Sequence, residues 1–86
     1  MAYNAVTVQS SATLIVPANN RRRQLILDNT GTADIFIGPD SAITTSNAPS
    51  LRAGSTLVFD ANFNRGAIYG IVVTGTGTMA YWEMSE

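Results

Sequence analysis

Cysteine, histidine and lysine are all missing from this 86-residue chain. Without cysteine there is no disulfide, and without cysteine or histidine the usual zinc ligands are gone, so the staples common in small folds are closed to it. Serine and threonine are plentiful, but with no histidine or lysine beside them a hydroxyl nucleophile lacks its ordinary base. The carboxylates Asp28, Asp34, Asp40, Asp60, Glu83 and Glu86 are scattered, without the spacing of a calcium loop. Gly75-Thr76-Gly77 lacks the further glycine and the lysine of a phosphate loop. The expectation is no enzyme, no metal and no cofactor.

Charge is also scarce. Only 13% of residues are charged, about half the usual share of a soluble domain, and the net charge of −1 gives little repulsion between copies. A sequence pI of about 5.1 disfavours a general nucleic-acid or anionic-membrane binder. The longest apolar stretch, Ala67 to Val73, is far short of the roughly 20 residues of a membrane-spanning helix, so no membrane partner is expected. The first residues lack a basic region followed by an apolar segment, and no signal peptide is expected. At this length about 60 to 65% of the unfolded surface can be buried, and a thin core without staples points to self-association or docking as the remaining source of stability.

What is present is β-strand chemistry. Arg21 to Gly38 organises the chain: the runs Leu25 to Leu27 and Ile35 to Ile37 flank Asn29-Thr30-Gly31-Thr32, which predicts a hairpin with a turn tolerant of positive φ. Ile68 to Thr74 and Thr78 to Met84, joined through Gly75-Thr76-Gly77, predict a second hairpin. Further strands are expected at Asn4 to Gln9, at Ala12 to Val16 before Pro17, at Ala42 to Thr45, and at Ser55 to Asp60 after a tight turn with Gly54 at positive φ. Turn signals recur at about 8 to 12 residues and no helical period is sustained. The fold class is therefore all-β: a small antiparallel β-sandwich of about seven or eight short strands with Greek-key or jelly-roll-like connections.

Residues 12–86 form the expected domain, and 1–11 an N-terminal strand or exchanged arm whose few apolar groups, Val6 and Val8 with Tyr3, suit strand addition to a neighbour. Two segments, Ile68 to Val73 and Met79 to Trp82, carry large side chains on both faces, which in a two-layer domain implies an outer face that meets another subunit. The candidate assembly residues are accordingly Tyr3, Val6 and Val8, the block Arg21, Arg22 and Arg23, and the aromatics Tyr69, Tyr81 and Trp82. On an extended strand Arg22 is separated from Arg21 and Arg23, which breaks a phosphate-binding patch and leaves pairing with Asp28, Asp34, Asp60 or a neighbour's carboxylate. Tyr3, Tyr69, Tyr81 and Trp82 with Asn62 and Asn64 also fit a carbohydrate-binding module, the discriminator being whether Tyr81 and Trp82 lie in an interface or on an open groove.

Arg23-Gln-Leu-Ile-Leu-Asp-Asn-Thr-Gly31, Ile35-Phe-Ile-Gly38, Leu51-Arg-Ala-Gly54 and Gly66-Ala-Ile-Tyr69, followed by a terminal strand, resemble a group of small β-rich virion proteins of tailed bacteriophages. The resemblance spans Arg22 to Glu83 and implies a head decoration or cement protein, with head-fibre and tail-associated or fibre-base modules as alternatives. It implies a symmetric homo-oligomer, expected as a trimer, bound to the major capsid protein or another virion protein. Its location would be the capsid surface of the virion, after synthesis in the host cytoplasm. A fibre reading is weakened by the lack of a heptad stalk or a Gly-x-y shaft.

Overall fold

Short β-branched and aromatic runs cannot bury an apolar face alone, and here they pair into two antiparallel four-stranded sheets. A computed structural model describes the backbone of residues 2–60 and 65–85 and the side chains of 4–59 and 65–85. The strands are β1 (Ala2–Val8), β2 (Thr13–Val16), β3 (Arg22–Asn29), β4 (Ile35–Gly38), β5 (Ser50–Leu51), β6 (Thr56–Asp60), β7 (Ile68–Ile71) and β8 (Gly77–Ser85). The first sheet has the order β1-β8-β3-β6 and the second β2-β7-β4-β5. The pairs are nested along the chain and alternate between the sheets: β1 with β8 and β3 with β6 in the first, β2 with β7 and β4 with β5 in the second. This is a single long antiparallel ribbon, folded at β4 and β5 and rolled up, which is the jelly-roll arrangement among those the sequence predicts.

The two sheets close over one apolar layer. Val8, Leu25, Leu27 and Met79 face inward from the first sheet, against Ile15, Val16, Ile35, Ile37, Leu51, Ile68 and Val72 on or beside the second. Strand alternation sets this up: in β6, Leu57 and Phe59 pack on the core while Val58 between them is half exposed. In β7 the layer is so thin that Gly70 leaves no room for a side chain. A Cβ there would lie 2.5 Å from Ile15 Cδ1 and 3.1 Å from Ile35 Cγ2. Gly70→Ala is expected to cost about 1–3 kcal/mol by overpacking, read as a lower urea midpoint with unchanged slope. An unchanged midpoint would mean that the two isoleucines yield freely.

Three expectations need correction. The runs around Asn29 to Thr32 do not form a hairpin, because β3 and β4 lie in different sheets; β7 and β8 are likewise split. Both segments are arches between layers, and they lie side by side, with Thr30 N–H donating to Thr78 O at 3.2 Å. Positive φ is confined, among the described residues, to Gly54 at 81° and Gly75 at 69°, so Gly31 does not use it. Gly54 does serve as the turn residue predicted for it, with Ser55 N–H donating to Arg52 O at 3.0 Å. Finally, Ala42 to Thr45 is a turn segment, not a strand. Asp40 Oδ1 accepts from Ala42 N–H at 2.9 Å and Asn47 Oδ1 from Thr44 N–H at 2.7 Å, so local side-chain acceptors take the donors a ladder would need. The strand on this side is the two-residue β5.

Candidate assembly surfaces

A thin sandwich presents flat outer faces only if its ends are tied, and β3 carries a buried polar group at each end. Arg22 is 1% exposed. Its Nε donates to Glu83 Oε2 at 2.7 Å, Nη1 to Gly66 O at 2.9 Å and Nη2 to Pro17 O at 2.8 Å. One guanidinium therefore joins β3 to β8 and reaches the end of β2 and the approach to β7 in the other sheet. A β-bulge makes this geometry: the register slips between Arg22 and Gln24 against Ser85 and Met84, which turns Arg22 inward and leaves Arg21 and Arg23 exposed. The arginine block is split as expected. Its inward member pairs with Glu83, a carboxylate outside the three aspartates that the sequence proposed.

At the other end Asn29 is fully buried. Its Nδ2 donates to Ala33 O at 2.8 Å and Leu51 O at 2.9 Å, and its Oδ1 accepts from Gly31 N–H at 3.2 Å. Sequence reasoning read Asn29 as a turn residue. Only its inward position, in step with Leu25 and Leu27, makes it a tie between the first sheet, the β3–β4 arch and β5.

The outer faces are apolar on both layers. Across the first sheet the register aligns Tyr3 with Trp82, Trp82 with Ile26, and Ile26 with Val58, a row that crosses all four strands. On one side of this row small Ala80 stands beside Asp28. There a groove of about 420 Å³ opens, lined by Asn4, Ile26, Asp28, Ala80, Tyr81 and Trp82. On the other side exposed Met84 stands opposite Gln24. Across the second sheet Leu14 pairs with Tyr69 and Phe36 with Ile71. Leu14 and Val73 are 44% and 65% exposed. The sequence had marked β7 and β8 as apolar on both faces; Ile26, Val58, Leu14 and Phe36 were missed, because alternation does not say which parity points out.

The nine candidate residues do not share one surface. Val8 and Arg22 are buried, and Val6 and Tyr81 pack on the core. Trp82 is on the outer face of the first sheet and Tyr69 on that of the second. Tyr3 has a described backbone but its side chain, like Asn62 and Asn64, lies outside the described residues. Tyr69 is thus on the other sheet from Tyr81 and Trp82, which both line the groove beside Ala80. The expected arm, β1, runs as an edge strand paired with β8 of its own chain from Ala2 to Val8; an exchanged β1 would make the same pairs with a neighbour's β8. Among the described residues no three or more histidine, cysteine, aspartate or glutamate side chains gather where a metal could sit. Comparison with known protein families, curated proteins and solved structures gives no match.

Proposed function

We propose that the protein is a non-enzymatic structural module of a bacteriophage virion, a jelly roll that decorates or cements the capsid as a symmetric oligomer. The observation that carries this reading is the apolar outer surface of both sheets, Trp82, Ile26 and Val58 on one and Leu14, Tyr69, Phe36 and Ile71 on the other. A low-charge monomer with two such faces has little to keep it in solution alone, whereas a module sandwiched between its own copies and a virion surface covers both. The buried ties at Arg22 and Asn29 suit that role, since they hold the sandwich rigid without a reactive group. Jelly rolls serve in viral capsids and also in lectins, so the sheet order alone does not choose.

The test is gold labelling of purified virions with an antibody against the protein, alongside co-sedimentation of the purified protein with capsids. Label over the head, and loss of co-sedimentation in Leu14→Glu/Phe36→Glu with unchanged circular dichroism, is the expected result. Label confined to the tail would move the module to the tail or fibre base. Virions free of the protein would sink the reading altogether.

A further inference from the structure

We infer that the outer face of the first sheet is a self-complementary dimer surface, on which a second copy docks face to face about a two-fold axis. The axis lies between the two sheets and runs across the strands, along the row Trp82, Ile26 and Val58. Such an axis maps each strand onto its own antiparallel copy, so whatever stands on one side of the row meets what stands on the other.

Both sides match. On β8, Ala80 and Met84 lie two residues either side of Trp82, so Met84 of each copy is set over Ala80 of the other. The exposed thioether chain meets the groove that the small alanine leaves. On β3, Asp28 and Gln24 lie two residues either side of Ile26, in line with Ala80 and Met84, and exposed Arg23 adjoins Gln24 at the bulge, one position farther from the axis at roughly 3.3 Å per residue. Asp28 of one copy thereby faces Gln24 of the other, with the long side chain of the adjacent Arg23 reaching its carboxylate diagonally, twice per dimer. Within its own chain the Asp28 carboxylate accepts only a long exposed bond from the Thr56 hydroxyl, at 3.3 Å, among the described contacts. The body measures 37 × 23 × 16 Å, so its broad face is large enough for the about 800 Å² per partner of a standard interface. A parallel stacking, with the axis running along β3, would set Arg23 on Arg23 and Asp28 on Asp28, and is disfavoured by like charge.

This inference stands apart from the virion reading, because it concerns the isolated chain. The experiment is sedimentation equilibrium of the full-length protein and of Arg23→Asp, Asp28→Arg and the double swap, each with its fold checked by circular dichroism. Each single swap places like charges within reach of one another at two sites and is expected to weaken self-association by about ten-fold or more, halving the mass at micromolar concentration. The double swap restores the pairs in reversed order and is expected to return the mass towards that of the wild type. The single tryptophan, on the axis, gives a second readout: its emission shifts to the blue as concentration rises in the wild type and the double swap, and not in the single swaps. Single swaps that keep the wild-type mass, a double swap that fails to restore it, or a monomeric wild type would each overturn the proposal.

Discussion

Arg22→Ala is expected to be the most destabilising single substitution in the arginine block, by about 3–5 kcal/mol. The guanidinium is buried, donates to Glu83 and to the carbonyl oxygens of Gly66 and Pro17, and its loss strands a carboxylate whose residue side chain is 12% exposed. Removing one partner of a buried ion pair costs about 3–5 kcal/mol. A domain of this length has roughly 4–13 kcal/mol in total, so the loss takes from about a quarter to all of it. Arg21→Ala and Arg23→Ala alter exposed side chains of the same block and are expected to stay within about 0.5 kcal/mol of the wild type, measured on the monomer. Arg22→Met with Glu83→Leu should recover about half of the loss, because an apolar pair removes the stranded charge, while the bonds from Arg22 to the Gly66 and Pro17 carbonyls, each worth about 1 kcal/mol, stay lost. Urea denaturation of these four variants and the wild type decides it. An Arg22→Ala midpoint close to that of Arg21→Ala would show that the tie contributes nothing.

The second large effect is expected at Asn29, where Asn29→Asp keeps the shape and reverses the chemistry. The amide nitrogen donates to Ala33 O and Leu51 O; an aspartate puts a carboxylate oxygen against the same two carbonyls and leaves both without a donor. At pH 7 the cost is about 3 kcal/mol or more, against about 2–3 kcal/mol for Asn29→Ala. The aspartate variant also gains a pH dependence. Burial and the facing carbonyls favour its neutral form, so its folded pKa is raised above the unfolded value of about 3.9. Stability is then fully present below the unfolded pKa and lost as pH rises through the folded one. The gap between variant and wild type should be smallest near pH 4 and widen towards pH 7, with Asn29→Ala showing a gap that does not change. Thermal melts across that range check it, and equal gaps for both variants would contradict the buried contacts described for Asn29.

The two residues carry different lessons about reading this chain. The all-β class, the short strands at Thr13 to Val16 and Thr56 to Asp60, and the left-handed turn at Gly54 follow from local rules: period-two alternation, β-branched side chains and the φ freedom of glycine. These operate within a few residues, so the order of residues alone suffices. The apolar character of both faces of β7 and β8 was legible for the same reason.

What faces inward, and against what, is decided over longer distances. Leu25-Ile26-Leu27 reads equally well with either parity buried; the bulge beside Arg22 and the pairing with β8 choose Leu25 and Leu27 for the core and release Ile26 to the surface. Glu83 reaches Arg22 across 61 positions of sequence, and no local pattern prefers it to the nearer aspartates. The predicted hairpins became arches because a turn sequence sets only that the chain reverses, not whether the returning strand joins its predecessor's sheet or the facing one. That choice belongs to the rolled ribbon as a whole, in which β8 takes the place beside β3 and leaves β4 to the other layer. The chain by itself determined strands, turns and an excess of apolar surface. Tertiary pairing decided which of that surface became core and which became the outer face, because burial is a property of two sheets meeting and no single strand contains it.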